Sequence, residues 1–306
     1  MHRCPAEVAL GRDCRPRSGG ARTPRTVCGL PRASATPYHP RVPDWTTLAP
    51  GLNRRQRWFY QFFETAARWL MIVFFRWRAI GRENVPRAGA LLVVANHQSY
   101  LDSTGVGCGL TPRVAVHVAR SGLYSGGLFS WIIAGLNTIP IKSESGEGDT
   151  AAMKQIIRRL GEGNCVVLFP EGSRTMDGRM APFKPGIALI IKRAGCPVLP
   201  AAIEGAFDAW PRGRKGPRLF GCRLAVKYGR PIPAAELLKD GTRGSLGRLE
   251  REIDAMRLEL RAELRRRTKG KFPPTGAGDG ASHGERDGAN AAVAGAVGGA
   301  GGEHGG

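Results

Sequence analysis

The 306-residue chain contains no C-x-x-C pair, no G-x-S-x-G, no apolar run of transmembrane length and no visible internal repeat. Each absence closes off a class. Without paired cysteines, the seven Cys at 4, 14, 28, 108, 165, 196 and 222 build neither a structural zinc site nor a disulfide framework. Cys165 and Cys196 sit beside apolar runs and suit a reducing cytosol. Without G-x-S-x-G there is no nucleophile elbow. The longest uninterrupted apolar stretch, WLMIVFF at 69–75, falls far short of the ~20 residues that span a bilayer. The chain also lacks the apolar region of a secretory signal, transit-peptide amphipathicity, and any RNP-like, helix-turn-helix or zinc-finger pattern.

Acidic residues are scarce. With 46 Lys and Arg against 25 Asp and Glu, the formal charge of +21 leaves nucleic acid, an anionic membrane face or phosphorylated substrates as partners. Much of the excess lies in the helices at each end of the core, as in RAELRRRTKGK at 261–271, and in an N-terminal arm. Residues 1–50 hold eight Arg and eight Pro against Glu7, Asp13 and Asp44, a composition that buries little. This segment reads either as a disordered basic arm or as upstream sequence translated from a wrong start. At the other end, twelve Gly fall among residues 276–306, so 272–306 reads as a flexible tail. The folded part is expected over 51–271, a normal size for one domain.

Residues 53–79, NRRQRWFYQFFETAARWLMIVFFRWRA, are the most hydrophobic stretch. On a helix, Arg57, Gln61, Glu64 and Arg68 line up as a polar stripe opposite Phe59, Phe62, Phe63, Ala66, Leu70 and Phe74. Trp58, Trp69 and Trp77 flank the apolar side, and Trp with Arg at its edges suits the lipid headgroup boundary. Two roles are open: a helix lying in the membrane surface, or an ordinary core-packing helix.

After Gly81, short apolar runs alternate with helical segments. Strands are expected at 90–96, 113–118, 138–141, 165–169, 198–203 and 223–228. Helices are expected at about 103–110, 126–136, 149–161, 185–194 and 244–268. The alternation predicts an α/β fold with a largely parallel central sheet flanked by helices, preceded by the amphipathic helix.

Two polar blocks follow expected strands. In LLVVANHQSYLD, 91–102, an apolar run ends at Asn96 and His97, and Asp102 comes five residues after the histidine. That spacing does not bring two side chains together on one helix, because five residues at ~100° each separate their faces. The chain must turn, and Gln98, Ser99 and Tyr100 supply the turn. By chance alone, about 0.2 such His-Asp spacings are expected in a chain of this composition. One decoy exists, His39 with Asp44, in the proline-laden arm with nothing to hold it. Asp102 either caps a helix or orients the His97 imidazole as a general base. The second block, FPEGSRT at 169–175, follows CVVLF. There Gly172 allows close backbone approach, Arg174 offers a phosphate-matching fork, and Glu171 can accept hydrogen bonds.

Together NHQSYLD and FPEGSRT resemble the lysophospholipid acyltransferase family, which includes 1-acylglycerol-3-phosphate acyltransferases and carries H-x4-D and F-P-E-G-[ST]-R blocks. GLNTIPIK at 135–142 and CPVLPAAIEGA at 196–206 are similar to two further blocks, so the resemblance spans about 80–230. It implies His97 as general base, Asp102 as its orienting partner, and an acceptor site of Glu171, Gly172 and Arg174, with Arg174 on the phosphate. Lys142 stands where the family more often has Arg, and Arg120 matches the first of two common Lys, with Ser121 and Gly122 replacing what usually follows. Phe183, Lys184 and Gly186 resemble a short F-K-x-G run assigned to the rim.

The implied reaction moves a fatty acyl group from acyl-CoA or acyl-carrier protein to the hydroxyl of lysophosphatidic acid. An acyl thioester is already activated, so no metal and no cofactor are expected. The implied partners are a lysophospholipid, the acyl donor and a membrane surface, with no nucleic acid, and the implied location is the cytoplasmic face of the cell membrane, peripheral or monotopic. Two alternatives stand beside this. One is acylation of another acceptor, such as glycerol 3-phosphate, a different lysophospholipid or an amino-acid-derived lipid. The other is a non-catalytic cationic protein bound to membrane or nucleic acid.

Overall fold

Three runs, apolar but for the closing Glu204, are buried along their whole length: β2 (Leu91–Ala95), β5 (Cys165–Leu168) and β6 (Val198–Glu204). Unbroken apolar sequence of this kind suits parallel strands covered on both faces, which leave no solvent side to alternate toward. The computed structural model describes residues 50–121, 127, 131–132, 135–141 and 150–282. The expected arm, with His39 and Asp44, lies almost wholly outside these residues, as do most of the helix expected at 126–136, Lys142, and the tail from 283 onward.

Around the central three strands run β3 (Ala115–Arg120), β4 (Thr138–Ile141), β7 (Ala225–Tyr228) and β1 (Arg78–Ile80), in the order β1-β7-β6-β2-β5-β3-β4. Every neighbouring pair is parallel except β6 and β7. The sheet is therefore mostly parallel, as the sequence predicts. The edge strand β1 was not foreseen, because three residues with an exposed-intermediate-exposed pattern carry no apolar signature.

Helices flank the sheet: α1 (Arg54–Phe75), α2 (Asp102–Gly109), α3 (Thr150–Gly161), α4 (Gly186–Ala194), the short α5 (Ala206–Ala209) and α6 (Ala234–Leu237), and the long α7 (Gly241–Arg267). The helix expected over 53–79 is thus shorter. It begins with a capping box between Asn53 and Gln56 and stops where Arg76 turns left-handed at φ 46°, which frees residues 78–80 to join the sheet. Tyr60, Met71 and Phe75 face the domain, and so does part of the polar stripe: Glu64 accepts from Thr111 Oγ1, and the amide N–H of Ala115 donates to Tyr60 Oη at 3.1 Å. The outward side carries Trp58 (72% exposed), Trp69 (63%) and Val73 (60%), with Phe62 and Leu70.

On α7, Leu246, Leu249, Ile253, Met256, Leu260 and Leu264 recur every three or four residues and are buried, the stripe of a helix laid on a core. The chain does not end its packing there. Contrary to the boundary expected at 271, residues 272–282 fold back on α7, with Phe272, Gly278 and Ser282 buried. Composition misleads here, because the contacts are made by α7 arginines gripping backbone carbonyls, which any glycine-rich segment offers.

Candidate active site

Adjacent parallel strands put their carboxyl ends at one edge of a sheet. In β2 and β5, Val94 lies beside Leu168, so the polar blocks that follow, 96–102 and 169–175, emerge together. Asn96 extends the ladder past the end of β2: its Nδ2 donates to Ile203 O at 3.0 Å and its Oδ1 accepts from Ile203 N at 2.8 Å. The backbone is thereby fixed up to His97.

His97 is held on both sides by the second block. Its amide N–H donates to Glu171 Oε1 at 2.6 Å, and its carbonyl accepts from Thr175 N at 2.9 Å. The imidazole stacks on Phe169, with centroids 4.3 Å apart and planes 20° from parallel. Its Nδ1 lies 2.7 Å from Asp102 Oδ2. That leaves Nε2 as the ring nitrogen for proton exchange, on a side chain 21% exposed.

Asp102 is fully buried at the start of α2. It does not cap the helix: the N-cap is Leu101 and makes no side-chain cap bond. Its Oδ2 instead reaches back along the turn, accepting from Gln98 N at 2.5 Å and Ser99 N at 2.6 Å as well as facing His97. These three contacts thus hold the Asp102 side chain in one orientation. The helix can lie close enough to deliver it because α2 is glycine-rich; a Cβ at Gly105 would come 2.7 Å from Ile203 Cδ1.

Glu171 is the acceptor-site residue that the resemblance implies. Only 4% exposed, it turns inward and gives one oxygen to His97 N and the other to Ala181 N, at 2.8 Å. Burial pushes its carboxyl up to about 8, against the pull of those two N–H donors, and the nearby Asp102 adds to the rise. Geometrically it is a brace for the histidine. Gly172 has a φ of +73°, and a Cβ there would meet Lys184 Cε at 2.6 Å, so its lack of a side chain lets the Lys184 side chain lie against the loop.

Arg174 places its guanidinium 3.4 Å above the Tyr100 ring, which in turn packs on Trp210 at 4.9 Å. Its Nη1 is buried and has no hydrogen-bond partner among the described residues. A half-buried guanidinium oriented by an aromatic face and carrying a free donor is suited to an anion. Of the residues assigned to the rim, Lys184 lies against Gly172, whereas Phe183 is buried in the core with its N–H donating to Glu250. Arg120 closes β3 opposite Ile141, its side chain lying outside the described part, and Lys142 lies wholly outside it. Beside Phe169 is a cavity of about 170 Å³, walled by Met153, Ile156, Leu168, Ile187 and Ile190.

Sequence reasoning passed over Asn96, Tyr100 and Thr175. Tyr100 had a signal, an aromatic inside the polar turn, but its use for Arg174 depends on two chain-distant loops meeting. The Thr175 amide and the Asn96 side chain gave no such hint.

Residues 76–204 match the model of the Acyltransferase family. A chloroplastic 1-acyl-sn-glycerol-3-phosphate acyltransferase of Brassica napus is 29% identical over 201 residues, covering 63% of this chain and 57% of that protein. The alpha form of the same enzyme from Bos taurus is 30% identical over 162 residues, 52% of this chain and 55% of that protein. The chain thus spans little more than half the length of these curated relatives. The crystal structure of the 1-acyl-sn-glycerophosphate acyltransferase PlsC from Thermotoga maritima superposes with a TM-score of 0.57 at 26% identity, covering 68% of this chain and 80% of that one.

Proposed function

We propose that the chain, whose residues 76–204 match the Acyltransferase family model, transfers a fatty acyl group from acyl-CoA or acyl-carrier protein to the hydroxyl of lysophosphatidic acid, forming phosphatidic acid. The observation that carries this is the His97–Asp102 pair, 2.7 Å apart and braced through the His97 backbone by Glu171 and Thr175. Asp102 holds the proton on Nδ1, so Nε2 is the base. As the acceptor oxygen attacks the thioester carbonyl, Nε2 takes its proton. Collapse of the tetrahedral intermediate breaks the C–S bond, and His97 returns the proton to the leaving thiolate. No metal or cofactor enters this scheme, because the thioester supplies the activation.

Arg174 receives the acceptor phosphate, presented by Tyr100 with Nη1 unoccupied by protein. The apolar cavity beside Phe169 takes acyl methylenes close to the reacting carbonyl. Both lipids reside at a bilayer. Among the described residues no helix is long and apolar enough to cross a membrane. The outward Trp58, Phe62, Trp69, Leu70 and Val73 of α1 support seating on the cytoplasmic surface of the membrane, peripheral or monotopic.

Purified protein supplied with labelled acyl-CoA and a panel of lysolipids tests the reading. Acylation of lysophosphatidate that disappears in His97→Ala is expected. Turnover of no panel member, or undiminished turnover in His97→Ala, overturns it; preference for glycerol 3-phosphate or another lysolipid selects the alternative acceptor. A chain that only binds vesicles or nucleic acid, with steep salt dependence and no need of His97, would be the non-catalytic cationic protein.

A further inference from the structure

Several buried charges outside the site, Glu204, Asp254, Arg257 and Arg261, form one connected chain that ends beside His97. Glu204, at the last position of β6, is fully buried; its Oε2 accepts from Gln98 Nε2 at 2.9 Å and its Oε1 from Arg261 Nη1 at 2.6 Å. Arg257, also fully buried, donates to Asp254 at 2.6 Å and to the carbonyls of Gly278 and Gly280 at 2.6 and 2.9 Å. Asp254 in turn accepts from Ser282 N. Arg261 holds Asp279 and Pro274 O, and Arg265 holds Asp279, Pro273 O and Pro274 O. Residues 273–282 are therefore strapped to α7 by three arginines spaced at i+4.

Two routes lead from this strap to the general base. The first runs through Arg261 and Glu204 to Gln98, the residue after His97. The second is direct packing on the 175–178 turn: a Cβ on Gly178 would lie 3.5 Å from Gly278 Cα, Gly178 O accepts from Gln98 Nε2 at 3.3 Å, and Thr175 N holds His97 O. Burying a Glu and two Arg this deeply contributes little net stability, since desolvation offsets the attraction. What such a network does secure is geometry: a carboxylate fixed by Arg261 allows Gln98 a single position.

We propose that residues 273–282 are a positioning element of the active site, with Arg261, Glu204 and Gln98 as the relay that sets the His97 backbone. This rests on the acyltransfer reading for its kinetic consequence, though not for its structural one. None of these side chains touches substrate in the proposal; they act through His97.

The test compares the full chain with Asp279→Ala, Asp279→Glu and a chain ending at Phe272, following acyl transfer to lysophosphatidate and amide hydrogen exchange at 96–99 and 175–178. Asp279→Ala and the shortened chain are expected to lose about tenfold or more in kcat with KM nearly unchanged, because a small displacement of a base costs rate rather than affinity. Exchange at both loops should rise, and Asp279→Glu should restore much of each. Wild-type kcat and wild-type exchange at 96–99 in Asp279→Ala overturn the proposal, even should the shortened chain fail to fold. A wild type that acylates nothing defeats the functional reading, while the exchange comparison still decides the positioning.

Discussion

The amide N–H of His97 donates to Glu171 Oε1 at 2.6 Å, so the second block grips the first by its main chain. Glu171→Gln keeps the volume but turns an amide NH2 toward one of two N–H donors. Leaving such a buried group unsatisfied costs about 1–3 kcal/mol. The expected result is a lower kcat with acceptor KM within about threefold, since the side chain shapes the base and not the acceptor pocket. A large rise in KM for lysophosphatidate at constant kcat would return Glu171 to the acceptor site.

The same carboxyl links stability to pH. Its folded value, pushed up to about 8 by burial, lies above the ordinary 4.5, so the folded state binds the extra proton between those limits. Its contribution is complete below about pH 4.5 and is lost as pH rises through about 8. Denaturation midpoints at pH 5 and pH 8 should fall in wild type by more than in Glu171→Gln. Parallel behaviour of the two proteins would show that another group governs the range.

Asp102 Oδ2 faces three donors, His97 Nδ1 and the amides of Gln98 and Ser99. An asparagine that keeps its oxygen toward these donors loses the negative charge facing the imidazole and places an NH2 at the buried, unpartnered Oδ1 position. Asp102→Asn is expected to lower kcat by about 10²–10⁴ through a wrongly oriented or wrongly protonated imidazole. Retained activity with an unchanged pH profile would remove Asp102 from the mechanism.

The stacking of Arg174 on Tyr100 predicts a pair of effects. Arg174→Lys exchanges a planar fork for a point charge and should raise KM for the lysophosphatidate about tenfold or more. Tyr100→Phe keeps the aromatic face and should stay close to wild type, whereas Tyr100→Ala should move KM in the direction of Arg174→Lys. Equal kinetics for Tyr100→Ala and wild type would show that the ring does not orient the guanidinium.

Asp279 is held well below the usual carboxylate range, chiefly by its hydrogen bond from Arg265 and also by Gly276 N–H and Arg261. A depressed folded value means its stabilising effect is present above about pH 4 and lost as pH falls through the folded value. The thermal midpoint of wild type should therefore exceed that of Asp279→Asn at pH 7, and the gap should narrow toward pH 3. A gap that persists in acid would assign the strap's hold to its carbonyl contacts instead.

Periodicity and punctuation alone determined most of the sheet, because fully apolar runs of four to seven residues separated by helical segments admit few arrangements. The β4 strand at Thr138–Ile141 matches its expected limits, and the strand ends at His97 and Phe169 were legible for the same reason. The resemblance of two short blocks then nominated the candidate site residues. What the sequence did not carry were relations between chain-distant groups whose local signal is absent or contrary. A glycine-rich stretch looked like a free tail until α7 arginines took its carbonyls. Glu171, implied as an acceptor-site residue, gives its two oxygens to the amides of His97 and Ala181. Within the polar stripe of α1, Glu64 turns in to Thr111, while Trp58 and Trp69 beside it turn out. In each case side-chain chemistry was evident from residue type, but its direction was set by which backbone donors and acceptors the folded sheet brought within reach, and only tertiary structure decides that.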